Sequence, residues 1–293
     1  MEPRDVVQVE LTCTGRVELV EIVGDSGILP REPERNCATH VAQDVLRKFG
    51  DASTGLRVRL WKGLPLGSGL GSSAASGVAA AVATASLLDA TIPKEALLDS
   101  CREGERLATG SPHPDNAAPS LFGGLVACIP RHGEDIEVVS LRAPADLFFV
   151  CVKPGFSVAT QMARERVPRH VPMSDCVANM GNLAGVVAAL AQGDMGLLGR
   201  CMHDRLATPY RAPLIDGFEE LMRVAQKAGA IGSGISGSGP TLFAVCDAEE
   251  SALRVRADMV AAFRERGHES LAIISAIDPA GARLEQNDIF PRA

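Results

Sequence analysis

The segment Pro65-Leu66-Gly67-Ser68-Gly69-Leu70-Gly71-Ser72-Ser73-Ala74-Ala75 carries the chain's most specific chemistry. Three glycines and three serines fall between Gly67 and Ser73, and glycine lets the backbone curl with its N–H groups turned inward. Ser72 or Ser73 is placed to cap the Ala-rich helix expected to follow, to about Asp89. Unpaired amides and the helix dipole converge at such a terminus, which makes it an anion site suited to phosphate. No lysine follows Gly71, so this is not a Walker A loop. The glycines are spaced two apart and no acidic residue closes a second strand about twenty positions on, so it is not a Rossmann fingerprint either.

Other residues could do chemistry with it. A second glycine-rich stretch, Gly232-Ser233-Gly234-Ile235-Ser236-Gly237-Ser238-Gly239-Pro240-Thr241, reads as a turn that permits close backbone approach to a ligand or a neighbouring loop. Glu105 lies near a helix end, where a solvated charge is the bland alternative. Asp115 and Asn116 set an acceptor and an amide on a Pro-Asp-Asn turn, which turn chemistry alone would explain. Thr160 and Arg164 are four apart and share a helix face. Arg164 and Arg211 each carry a guanidinium fork that can bind a carboxylate bidentately, although each alone is more often a surface charge. Asn36 opens a helix and could be no more than its cap.

The elements that must position these residues are legible in outline. Val6–Leu11 and Arg16–Val23 alternate apolar and polar residues and read as two antiparallel strands joined near Thr14-Gly15. Asn36 opens a helix to about Phe49, stopped by Gly50. Leu56–Trp61 is a third strand running into the glycine loop. A helix is expected from Pro93 to Ala108 with Thr91 as cap, then a loop through Thr109–Asn116. A strand over Leu121–Ala127 is expected to be entered from the tight turn at Gly123-Gly124. Val138–Leu141 and Leu147–Val152 are further strands, the latter apolar enough to be central. Arg142–Asp146 is the expected junction between domains 1–142 and 143–293. Beyond it, helices over Ser157–Arg166, Asp175–Ala191, Gly217–Ala228 and Ala252–Arg266 interleave with strands over Leu242–Cys246 and Leu271–Ile277. That succession indicates α+β layers.

With 293 residues, 46% hydrophobic and 22% charged, the chain is long enough for two globular domains. A net charge of −7 argues against nucleic acid as a partner. The apolar stretch Ala74–Ala90 is rich in small residues that suit close packing in a core better than a bilayer. No charged-then-apolar leader opens the chain, so no export signal is expected. The eight cysteines are scattered without a Cys-x-x-Cys pair, as in a reducing cytoplasm, and the six histidines show no zinc-ligand spacing.

Pro-x-x-x-Gly-Leu-Gly-Ser-Ser-Ala resembles the second motif of the GHMP kinases, and Ser-Gly-Ile-Ser-Gly-Ser-Gly-Pro-Thr-Leu-Phe-Ala resembles their third. The stretch Glu105-x7-His113-Pro114-Asp115-Asn116-Ala117-Ala118-Pro119-Ser120-Leu121-Phe122-Gly123-Gly124 is similar to the homoserine-kinase branch of that family. The resemblance implies a two-domain GHMP kinase fold, with an N-terminal mixed sheet and helices and a C-terminal ferredoxin-like α/β sandwich. It implies ATP and Mg²⁺ as cofactors and L-homoserine as the small-molecule partner. Asn36, Pro65, Leu66, Gly67, Ser68, Gly69, Leu70, Gly71, Ser72, Ser73 and Ala74 would line the nucleotide. Glu105 would hold Mg²⁺ with a hydroxyl from Ser72 or Ser73, and Ser72, Ser73, Glu105 and Arg164 would be catalytic. Asp115, Asn116, Thr160, Arg164, Arg211 and Gly237 would contact the amino acid, with His113 fixing their loop through a hydrogen bond. A homodimer is a family-level expectation. The family's first motif, Pro-x-Ser/Gly-x-Asn-x-Gly-Pro-Gly-Phe-Asp in homoserine kinases, has no counterpart ahead of Asp5. Either the sequence starts late or truncated, or part of the acceptor pocket is lacking; in the second case the resemblance implies an N-terminal sheet short of one strand and weak activity. A sister kinase acting on a mevalonate-like alcohol and a non-catalytic nucleotide-binding paralogue remain open.

Overall fold

Strands β1 (Val6–Thr12) and β2 (Val17–Val23) do not form the expected hairpin. A third strand, β3 (Gly55–Trp61), lies between them, antiparallel to β1 and parallel to β2. The charges explain the order. Glu10, Glu18 and Glu21 would face like charges if β1 and β2 were neighbours. With β3 between them, Arg57 pairs across from Glu10 and Glu18, and Arg59 from Glu21. Arg57 and Arg59 reach the Glu10 carboxylate at 3.4 and 3.5 Å. On the other face Leu56, Val58 and Leu60 are buried.

This computed structural model describes residues 3–133 and 135–285, in two units. The first takes in 3–66, 71–140 and 278–285; the second takes in 67–70 and 141–277. In the first unit, α1 (Cys37–Phe49) starts at Asn36, whose side chain accepts from Ala38 N at 3.1 Å, and Gly50 ends it. Helix α2 (Ser72–Leu88) carries no charged side chain and packs Ala74, Val78, Ala81 and Ala85 against Val41 and Val45 of α1. The apolar stretch read as core is therefore core.

A short 3₁₀ turn at Lys94–Leu97 precedes α3 (Leu98–Thr109). Pro93 leads into that turn, and Thr91 caps nothing: its hydroxyl and N–H both go to Asp89, at 2.7 and 2.8 Å. Helix α3 comes close to α1 because Gly104 has no side chain. A Cβ there would lie 2.5 Å from Val41 Cγ2 and 2.9 Å from Cys37 Sγ.

Where a strand was expected from Leu121, a helix α4 (Ala117–Phe122) stands instead, and β4 (Leu125–Pro130) begins only after Gly123-Gly124. Pro119 is tolerated because it falls in the first turn, where a missing N–H costs no helical bond. A second strand, β5 (Ile136–Leu141), pairs with β4. The chain returns to this unit at its far end. Gly124 N donates to Asp278 O and Ala282 N to Ser120 O, both at 2.8 Å. Lys94 Nζ ties Leu121 O and Ala280 O at 2.8 and 3.0 Å.

The second unit contains β6 (Phe148–Pro154), α5 (Thr160–Glu165), α6 (Met173–Gln192), α7 (Met195–Cys201), α8 (Thr208–Arg211), α9 (Phe218–Lys227), β7 (Gly232–Ile235), β8 (Leu242–Cys246), α10 (Glu249–Glu265) and β9 (Ser270–Ala276). Its sheet runs β7-β8-β6-β9, so β6 is interior, as its apolar sequence predicts. Val150, Val152, Leu221, Leu242, Val255, Met259 and Phe263 form the core between sheet and helices. The first half of the second glycine-rich stretch is strand β7, not turn throughout.

Helix α6 is the described helix long and apolar enough to cross a bilayer by length and composition. Only Ala189 and Leu190 of it are buried, while Met173 and Leu183 are 75% and 64% exposed.

Candidate functional site

Gly67, Gly69 and Gly71 adopt φ of 59°, 79° and 69°, alternating with Ser68 and Leu70, which do not. That alternation turns successive N–H groups to one side, the geometry of an anion-binding nest. Ser68, 2% exposed, steadies the curl by accepting from Leu70 N at 3.2 Å. Pro65 and Leu66 lead into the loop. Gly71 is itself the N-cap of α2 and offers no side-chain cap bond.

The expected serine cap is therefore absent, because Ser72 and Ser73 already lie inside the helix. Their hydroxyls do other things. Ser72 Oγ donates to Leu64 O at 3.2 Å, and Ser73 Oγ donates to Glu105 Oε1 at 2.7 Å. Ala74 is core.

Glu105 is 3% exposed on α3, next to the Gly104 that lets α3 approach α1. Cys37 sits beneath this pair, its Sγ–H donating to Ser73 O at 3.4 Å. Burial, with the Glu105 carboxylate adding to it, pushes the Cys37 thiol up to about 12, so it stays a protonated donor. A carboxylate and a hydroxyl side by side are hard oxygen donors of the kind Mg²⁺ takes, one or two from protein and the rest from phosphate and water. The donor set fits the ion.

The flanks of the loop are equally specific. A Cβ on Gly71 would lie 3.0 Å from Asn116 Oδ1, so Asn116 packs directly against the start of α2, while Asp115 is exposed. Asn36 is 3% exposed and uses both ends of its amide: the cap bond and a donation to Pro30 O at 3.1 Å. His113 is exposed and makes no side-chain hydrogen bond among the described residues, which corrects the expectation that it fixes this loop.

The loop tip, 67–70, belongs to the second unit. Ser236 Oγ donates to Gly69 O at 2.9 Å, and a Cβ on Gly69 would fall 2.3 Å from Ser236 O. Arg211 reaches Gly237 O at 3.0 Å through Nη1 and Ala163 O at 3.3 Å through Nε. Thr160 Oγ1 lies 3.4 Å from Ser238 Oγ. Thr160, Arg211 and Gly237 are thus brought together by α5, α8 and the turn after β7, and Arg164 follows Ala163 on the same helix. Ser236 and Ser238 were not singled out in the sequence; the alternation of serine with glycine through 232–239 was the available signal.

The family model described as GHMP kinases N terminal domain matches residues 36–124, and that for GHMP kinases C terminal matches 186–265. The chain belongs to the GHMP kinase family. Among curated relatives, homoserine kinase of Arabidopsis thaliana is 42% identical over 274 residues, covering 92% of this chain and 73% of that one. Homoserine kinase of Chlorobaculum tepidum is 36% identical over 297 residues, covering 97% and 90%. The crystal structure of homoserine kinase from Cytophaga hutchinsonii superposes with a TM-score of 0.91 at 38% identity, covering 96% of this chain and 88% of that one. The stretch that resembles the second GHMP motif is the glycine nest, within the first matched range, and the stretch that resembles the third includes the turn that holds Gly69, within the second. The two-domain GHMP kinase fold expected from the sequence is the fold observed.

Proposed function

We propose that this GHMP kinase transfers the γ-phosphoryl group of ATP to the side-chain hydroxyl of L-homoserine, forming O-phospho-L-homoserine in threonine biosynthesis. The observation that carries the chemistry is the 2.7 Å hydrogen bond from half-buried Ser73, in the first turn of the helix that follows the glycine loop, to buried Glu105. The names of the relatives, at 36–42% identity over most of the chain, support the substrate. Amides of Gly67 to Ser73 and the α2 N-terminus bind phosphate oxygens. Glu105 and Ser73 hold Mg²⁺, with Ser72 keeping the loop stem closed through Leu64; the ion, when bound, neutralises phosphate charge. Arg164 and Arg211 grip the amino acid's carboxylate, while Thr160, Asp115, Asn116 and Gly237 orient its hydroxyl. The reaction needs positioning more than base strength, because phosphoryl transfer passes through a loose transition state. No side chain is assigned as general base.

A coupled ADP-release assay tests this with L-homoserine, mevalonate and 3-aminopropan-1-ol, which keeps the amine and hydroxyl but lacks the carboxylate. Turnover is expected with L-homoserine, and about 10²-fold or more lower kcat/KM with the carboxylate-free alcohol, since two arginines lose their charged partner. A preference for mevalonate would overturn the substrate assignment.

The enzyme is proposed to work in the cytoplasm, which the eight unpaired cysteines support. A homodimer is proposed as well, supported by the uncharged, exposed face of α6 with Met173, Val177, Met180 and Leu183. Replacing Leu183 by Lys is then expected to shift the protein to monomer in sedimentation velocity, and an unchanged profile would refute that surface.

A further inference from the structure

Lys62 is the last residue before the glycine loop's entry and lies in the first unit, as do the residues around it. Its side chain is 1% exposed and ion-paired with Asp5, whose side chain is 0% exposed. All three ammonium hydrogens have acceptors: Asp5 Oδ2, Ser72 O at 2.7 Å and Ser76 Oγ at 2.7 Å. Asp5 is equally satisfied. Its Oδ1 accepts from Gly63 N at 3.1 Å and Leu64 N at 3.0 Å, and its Oδ2 accepts from Ser76 Oγ at 2.7 Å. Gly63 allows the approach, since a Cβ there would lie 2.0 Å from Arg4 O. Burial pulls the Lys62 ammonium downward in pKa and Asp5 opposes it.

The bonds divide by place. Gly63 and Leu64 are the loop's incoming stem, and Ser72 and Ser76 are the first turn of its outgoing helix. An ion pair whose only task was stability would be a costly choice, because desolvating two charges offsets much of their attraction. A pair that clamps two backbone stems at a fixed separation is a different device. A phosphate nest depends on N–H groups held to within a fraction of an ångström before the ligand arrives.

We propose that Lys62 and Asp5 are positioning residues for the nucleotide: the buried pair spans the two stems of the phosphate loop and presets its amides for ATP, touching neither substrate. This rests on the kinase reading of the loop.

Three proteins test it by calorimetric titration with Mg·ATP: wild type, the charge-neutral double variant Lys62→Met with Asp5→Asn, and Lys62→Arg. The double variant leaves no unpaired buried charge, so its fold is expected to hold. Asn at position 5 can still accept from Gly63 and Leu64, but the Ser72 carbonyl loses the ammonium. Its ATP dissociation constant is expected to rise about tenfold or more while the KM for homoserine stays within about twofold, because only the loop is released. Arginine keeps the charge but its planar fork cannot reproduce three bonds around a compact ammonium, so an intermediate loss of about threefold or more is expected. ATP affinity within about twofold of wild type in both variants overturns the proposal. If the double variant fails to fold, Lys62→Arg decides, and unchanged affinity there overturns it too. Wild type that binds no ATP overturns both the clamp and the kinase reading; wild type and variants that bind it equally overturn the clamp alone.

Discussion

Replacing Glu105 by Gln is expected to lower kcat about 10²–10³-fold, the cost of removing one preorganised electrostatic group from a phosphoryl-transfer site. The change is close to isosteric. A glutamine oxygen still accepts the Ser73 hydroxyl now 2.7 Å from Glu105 Oε1, and Gly104 still lets α3 lie against α1. What disappears is the negative charge on a residue only 3% exposed, where no water can stand in for it. The loss should therefore fall on kcat and on the Mg²⁺ concentration needed for half-maximal rate, with the melting temperature nearly unchanged. Steady-state kinetics across a Mg²⁺ series measures both. A kcat within about threefold of wild type would remove Glu105 from the site.

Gly69→Ala is expected to raise the KM for ATP about 10²-fold, and Gly67→Ala to change it only a few-fold. Both glycines have left-handed φ, so both variants carry the same backbone penalty of about 1–2 kcal/mol. Their surroundings separate them. Nothing lies within 4 Å of a Cβ on Gly67, whereas one on Gly69 meets Ser236 O at 2.3 Å. That carbonyl cannot retreat freely, because it already accepts Gly239 N at 2.9 Å and its own N–H is bonded to Thr241 O at 2.9 Å. The loop tip must move instead, and the nest with it. Equal effects from the two variants would show that loop stiffness, not the Ser236 contact, sets nucleotide affinity.

The site was legible where chemistry is local. The nest, the helix it feeds and the alternation in β3 are encoded in adjacent residues, so their existence and order could be read directly. The hydroxyl beside Glu105 could not be assigned between Ser72 and Ser73, because a shift of one residue on a helix turns a side chain by about 100° and only packing fixes the phase. The Lys62–Asp5 pair joins residues 57 apart, and no periodicity predicts it. The β1–β2 hairpin failed for a related reason: alternation reveals strands but not their neighbours. The acidic faces of both strands and the arginines of β3 were the overlooked clue. Helix α4 was hidden by Gly123-Gly124, which sets where β4 begins but says nothing of what precedes it.

The return of residues 278–282 to α4 and β4 bears on how the protein is made. A nascent chain emerging from the ribosome would present residues 3–140 long before the segment that closes that unit exists. Until then the backbone partners of Ser120 and Gly124 are missing, Lys94 lacks its second carbonyl acceptor, Ala280 O, and Gly123 lacks Pro279 and Gly281 as neighbours. The first unit should mature late, after synthesis of the intervening residues 141–277, so a stalled or prematurely terminated product would carry the glycine-rich loop without a finished scaffold for that unit.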